Sequence, residues 1–62
     1  MDEYLTPQEA AAMLRISPLT MRDWRYQKRG PAYVSIEGQV RYPKRALLDF
    51  VAERTVDPKA AK

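Results

Sequence analysis

Apolar residues recur first with a helical period along this chain and later with an alternating one. Residues three or four apart share a helix face, whereas alternate residues share a strand face. The helical pattern covers residues 7–14, 18–27 and 43–54, and the alternating pattern covers residues 33–42. The chain therefore predicts two helices, a β-hairpin and a third helix, an α+β domain spanning residues 1–55.

The first two predicted helices begin with the same capping signal. Thr6 precedes Pro7 and Glu9 in a capping box, and Ser17 with Pro18 repeats the hydroxyl-proline pair eleven residues later. Because so little chain separates the two helices, they are expected to form a tight αα corner. The second helix is expected to end near residue 27, since a glycine and a proline follow shortly afterwards.

The alternating segment predicts a hairpin with Gly38 in its loop. A two-residue turn at residues 37 and 38 would mix polar and apolar side chains on each face. We therefore expect a three-residue loop, residues 36–38, with Gly38 left-handed and Val34 opposite Val40. In that register the solvent-facing side holds Ser35, Gln39 and Arg41.

The third helix carries a predicted buried stripe of Leu47, Phe50 and Val51, and we expect it to pack across the first two helices. Leu48 lies about 100° from Leu47, where it either edges the core or contacts another molecule. Residues 56–62 contain a proline, three charges and little apolar area, so we expect disorder there.

The second helix has two contrasting sides. Met21 and Trp24 share one side, which the spacing predicts to be buried, although an aromatic ring in a basic segment can also stack on bases. The opposite side carries Leu19, Arg22, Asp23 and Tyr26. The helix is therefore expected to be held by its back and to expose its front.

Positive charge is concentrated in the middle of the chain. The net charge is +3 overall, but residues 1–14 contribute −3, and residues 15–45 carry eight basic residues against two acidic ones, or +6. Such a distribution suits a polyanion whose phosphates attract Lys and Arg. Charge alone leaves an ordinary solvated basic surface equally open.

Composition narrows the functional classes. With 62 residues, no Cys and no His, the chain is too short for more than one small domain and lacks disulfides and Cys/His zinc ligands. Asp23 and Glu37 stand isolated among arginines, so we expect no enzyme, metal or cofactor. A bilayer-spanning run and a signal pattern are both lacking, so the expected location is the cytoplasm, without a membrane partner.

From Tyr4 to about Arg54 the chain carries, in order, the segments LTPQEAAAML, SPLTMRDW, RGPAYV and EGQVRY and then the apolar stripe of the third helix. This ordered set resembles the excisionase/MerR-like family of small winged helix-turn-helix domains. The resemblance implies double-stranded DNA binding, with the second helix in the major groove and the hairpin, or wing, against an adjacent minor groove. Chains of this size resemble phage or plasmid excisionases, which direct site-specific recombination, or AlpA-like regulators.

The resemblance places five residues on or beside the DNA-facing side of the second helix: Leu19, Thr20, Arg22, Asp23 and Tyr26. Arg25 on the same helix is a further expected contact. On the wing and its flanks the expected contacts are Arg15, Lys28, Arg29, Ser35, Gly38, Gln39 and Arg41. The chain departs from the family pattern at Asp23, Leu19 and Arg15, where a basic residue, a polar residue and a glycine are more usual, so base contacts cannot simply be transferred.

Several roles stay open at these positions. Arg22 suits a phosphate or the N7/O6 edge of guanine, and Asp23 suits a cytosine amino group, a neighbouring arginine or repulsion of the DNA backbone. Two interpretations of Leu19 remain open, contact with a thymine methyl group and simple exposure to solvent. Because one module has a small DNA interface, we expect several copies to associate on DNA. In solution we expect a monomer or a weak oligomer. An integrase is a candidate partner. A protein-interaction module acting through the basic helix is the alternative.

Overall fold

The computed structural model describes residues 3–56 and 58, within which the chain forms three helices and three short strands. In chain order these are β1 (Tyr4–Leu5), α1 (Pro7–Leu14), α2 (Pro18–Tyr26), β2 (Val34–Ile36), β3 (Gln39–Pro43) and α3 (Lys44–Glu53). The fold is α+β, and its helices and hairpin follow the order predicted from the sequence. The predicted disorder at 56–62 concerns mainly residues 57 and 59–62, which lie outside the described part.

The predicted caps form as the sequence indicates. Thr6 accepts from the Glu9 amide at 3.1 Å, and the Glu9 carboxylate accepts from the Thr6 amide at 2.9 Å. Ser17 accepts from the Leu19 amide at 3.1 Å, with Pro18 as the first residue of α2. Each side chain satisfies an amide that has no partner inside its helix, which fixes where the helices begin.

Strand β1 was not predicted, and it gives the sheet its third member. The strands pair antiparallel in the order β1-β3-β2, with Tyr4 opposite Pro43 and Leu5 opposite Tyr42. The Lys44 amide also donates to the Glu3 carbonyl at 2.7 Å. The start of the described chain is thereby held against the junction of β3 and α3.

The predicted hairpin register is wrong. Val34 lies opposite Arg41, and Ser35 opposite Val40, around a two-residue turn at Glu37 and Gly38. Both turn residues have positive φ, 51° and 77°, the backbone that matches the natural twist of paired strands. The geometry of the turn therefore outweighs the matching of apolar faces.

This register inverts the faces of β2, because a slip of one residue moves every side chain to the other face. Ser35 lies on the same face as Val40, rather than with Gln39 and Arg41 as predicted. Val34 shares the outer face with Arg41, which is half-buried. Strand β3 itself alternates as expected, with Val40 and Tyr42 turned toward the core.

The core lies where α1, α2, α3 and β3 meet. Its fully buried members are Ala10, Ala11, Met21, Tyr42 and Leu47. Helix α3 contacts mainly β3, and Phe50 reaches α2 with its ring centroid 5.5 Å from that of Trp24, so the expectation that α3 lies across both helices is only partly met. Val51, predicted to be buried, is 44% exposed, and Leu48 is 52% exposed.

Candidate nucleic-acid interface

Helix α2 is held by one side and exposed on the other. Met21 is fully buried. Leu19 and Tyr26 are 62% and 77% exposed, and Arg22 and Asp23 are exposed between them. Thr20, expected beside this face, is half-buried. The exposed residues recur at helical spacing, so they form a continuous surface, which we call the outer face of α2.

Trp24 supports α2 from behind. The side chain is half-buried and packs against the core. Its ring contacts Phe50, and a Cβ added to Gly30 would approach its Cε3 atom to 2.7 Å. Since the ring is covered on these sides by the chain itself, packing rather than base stacking is its role in the fold.

Arg25 is fixed by a contact that the sequence did not predict. Its Nη1 donates to the hydroxyl of Tyr42 at 2.9 Å. The Arg29 guanidinium, by contrast, lies over the Trp24 ring, 5.7 Å from its centroid. Arg25 thus ties α2 to β3, the second strand of the hairpin.

Arg22 projects along the outer face of α2. Its guanidinium lies 5.9 Å from the ring centroid of Tyr26, one turn further along the helix. A cation over an exposed tyrosine ring contributes about 0.5 to 1 kcal/mol, enough to bias the orientation of the arginine. The Arg22 side chain is therefore positioned at the surface and available to a ligand.

Basic residues flank both ends of α2 in left-handed conformations. Arg15, just before the cap of α2, and Lys28, just after the helix, both have φ of 58°. The amide after Lys28, that of Arg29, donates to the Trp24 carbonyl at 2.9 Å, and the corresponding bond after Arg15 joins Ile16 to Ala11 at 3.0 Å. In this helix-ending motif the left-handed residue is usually glycine. Gly30 also has positive φ, 90°, but it lies beyond the residue that ends the helix.

The wing presents a positioned arginine. Arg41 donates from Nη2 to the Gln39 side-chain oxygen and from Nη1 to the Val40 carbonyl, both at 2.7 Å. Gln39 and Arg41 share a face with the exposed Ile36, whereas Ser35 lies on the opposite face. Gly38 forms the tip, and a Cβ there would meet no atom within 4 Å. Two of the predicted wing residues therefore act together, and Ser35 is separated from them.

Tyr42 and Tyr33 support the candidate interface through contacts that the sequence did not predict. Tyr42 anchors Arg25, and the Tyr33 ring lies 5.9 Å from the Tyr42 ring on the inner face of the hairpin. Strand alternation located Tyr42 in β3, but the pattern carries no signal for its helical partner seventeen residues away.

The two short capped helices, the exposed outer face of α2 and the two-stranded hairpin define a winged helix-turn-helix. The chain matches the helix-turn-helix domain family over residues 4–55, and it belongs to that family. It is thus a small DNA-binding helix-turn-helix protein. The chain has no significant match among curated proteins and none among solved structures. In the part that the structure describes, every helix is too short or too polar to cross a membrane.

Proposed function

We propose that the protein recognises a specific sequence in double-stranded DNA, with α2 in the major groove and the β2–β3 wing against the adjacent minor groove. The observation that carries the proposal is the contrast between Met21, which is buried, and its neighbour Arg22, which is exposed on the outer face of α2. A helix anchored in this way presents one face without rotating. The basic residues at both of its ends favour the phosphates on either side of a groove.

Arg22 is proposed as a main contact on the outer face. Its guanidinium has five donors in a planar fork that suit a phosphate or a guanine edge. Arg41 is proposed as the wing contact, because its bonds to Gln39 and Val40 hold it in one orientation. An arginine that is already positioned loses less side-chain freedom on binding.

We propose further that several copies bind together. A single module buries about 600 to 1,000 Å² of surface on DNA, too little for high specificity. Side-by-side binding at repeated sites would bend the duplex, as an excisionase does when it favours one direction of recombination, and an integrase is then the candidate partner. An AlpA-like transcription regulator that occludes a promoter is the alternative use of the same binding.

The protein-interaction alternative is favoured by one observation, the exposure of Leu48 on α3 at 52%. A partner protein bound through such leucines would respond to Leu48→Ala or Leu19→Ala. Its binding would depend weakly on salt, since apolar contacts release few counterions.

The test is a footprint on genomic DNA with the wild-type protein, Arg22→Ala and the control Arg54→Ala, which removes an arginine outside the basic segment. Sequence-specific protection that weakens steeply with salt, and is lost in Arg22→Ala only, supports the proposal. Salt-insensitive binding that is unaffected by Arg22→Ala contradicts it. Bending of DNA that carries repeated sites supports the excisionase role, and a single unbent site for each monomer argues against it.

A further inference from the structure

An open cavity lies between the end of α2 and the root of the wing. Its volume is about 380 Å³. Arg25 in the last turn of α2 and Lys28 just after the helix line one part of it, and Arg29 and Tyr33 in the loop that follows line the rest. The cavity therefore borders both elements that are proposed to contact DNA.

The lining of the cavity is strongly cationic. Arg25, Lys28 and Arg29 all contribute to it, and the remaining described lining residues are uncharged. Like charges close to one space repel one another, and an anion bound there relieves the repulsion. The expected ligand is therefore a group with a concentrated negative charge and several acceptor oxygens, as in a phosphate.

The walls of the cavity are held by the fold. Arg25 is bonded to Tyr42 at 2.9 Å. Gly30 fits against the Trp24 ring with space for no side chain, which sets the path of the loop. Lys28 has its left-handed backbone because the following amide donates to Trp24. That bond also occupies the Trp24 carbonyl near the end of α2. An unpaired carbonyl oxygen there would repel an anion.

The position of the cavity identifies the source of the phosphate. In duplex DNA a sugar-phosphate strand separates the major groove from the adjacent minor groove. A protein with α2 in one groove and the wing in the other meets that strand between them, and the cavity is lined by the segment that connects α2 to the wing. We propose that the cavity seats one phosphodiester of this strand, held by Lys28 and Arg29 beside the anchored Arg25. This inference rests on the proposed function.

The first test compares Lys28→Gln with Lys44→Gln. Both replacements remove one lysine charge, but Lys44 lies at the start of α3, outside the cavity lining. Losing one phosphate contact lowers the slope of log K against log salt by about 0.9, which corresponds to about eightfold weaker binding near 0.1 M salt than wild type. The loss is expected in Lys28→Gln for every DNA sequence, with Lys44→Gln close to wild type. Equal losses in the two variants overturn the proposal.

The second test changes the DNA instead of adding a further protein variant. Single phosphates within the footprint are replaced one at a time by uncharged methylphosphonate, and binding is measured for wild type and for Lys28→Gln. One phosphate between the two contacted grooves is expected to weaken wild type about eightfold when neutralised and Lys28→Gln hardly at all. Additive losses at every phosphate overturn the cavity site while leaving DNA binding intact. Failure of wild type to bind DNA overturns the proposed function itself.

A titration with inorganic phosphate distinguishes a phosphodiester of DNA from free phosphate as the ligand of the cavity. The amide resonances of residues 28–30, 32 and 33 are followed by NMR as phosphate is added to the free protein. Weak binding at millimolar phosphate together with the methylphosphonate result supports a backbone seat. Tight binding of free phosphate with no effect of methylphosphonate points to a small-anion site and overturns the proposal.

Discussion

The guanidinium of Arg25 donates to the hydroxyl of Tyr42 at 2.9 Å and so joins helix α2 to β3, the second strand of the wing. Tyr42 is 1% exposed, so its hydroxyl reaches the arginine from within the core. The two elements that are proposed to contact DNA are therefore joined by a contact that itself needs no DNA.

Tyr42→Phe removes this bond and leaves the ring in place. We expect the free energy of unfolding to fall by about 1 kcal/mol, since a hydrogen bond to a charged group is lost but the arginine can still reach water. Urea denaturation measures the change. Tyr33→Phe is the matched control and is expected to change stability by less than about 0.5 kcal/mol. Equal effects in both variants would show that the bond contributes nothing.

Gly30→Ala tests the close approach of the loop to Trp24. A Cβ at Gly30 would lie 2.7 Å from the ring, whereas a Cβ at Gly38 has nothing within 4 Å, and both glycines have positive φ. We expect Gly38→Ala to cost about 1 kcal/mol for backbone strain alone. Gly30→Ala is expected to cost about 1 to 3 kcal/mol more, because the ring must also move. Thermal unfolding of both variants gives the difference, and equal losses would contradict the clash.

Arg15→Gly is expected to stabilise the protein and to weaken DNA binding. Glycine relieves the left-handed strain at this position, for a gain of roughly 0.5 to 1 kcal/mol after its greater flexibility in the unfolded chain is counted. Arg15→Ala is the control, since it removes the same charge and keeps the strain. We expect both variants to lose the same DNA affinity and only the glycine variant to gain stability in denaturation. Unchanged affinity in both would mean that Arg15 makes no phosphate contact.

Asp23→Asn probes the one carboxylate on the outer face of α2. Removing a negative charge beside the DNA backbone is expected to tighten binding to unrelated sequences by a few fold at low salt. If Asp23 accepts from a cytosine amino group, affinity for the footprinted site falls at the same time by about 1 to 3 kcal/mol. Titrations against both DNAs measure the ratio. A loss of affinity for both would contradict a repulsive role.

The helix starts could be predicted from sequence because their causes are local. Thr6 and Ser17 bond to amides two or three residues away, so their positions in the chain carry the necessary information. The buried side of α2 was also predictable, because the helical spacing alone places Met21 on one side and Arg22, Asp23 and Tyr26 on the other. Local spacing was sufficient for the main features of the candidate site.

Features that depend on distant contacts were not predictable in the same way. The two residues of β1 are too few to show alternation, and only pairing with β3 makes them a strand. The hairpin register followed the left-handed backbone at Glu37, which no hydrophobic pattern reveals. Arg25 was expected to contact DNA, and only the folded chain brings Tyr42 within its reach.

Strand β3 has a partner on each side, β1 and β2, and continues directly into α3. The root of the hairpin is held relative to α2, because Tyr42 and Pro43 pair with β1 and Tyr42 also accepts from Arg25. The distance between the two elements that are proposed to contact DNA is therefore set in the free protein. For a protein that binds as proposed, a duplex with a different groove spacing must deform to fit. The stiffness of base steps that the protein never touches would then help to choose its target.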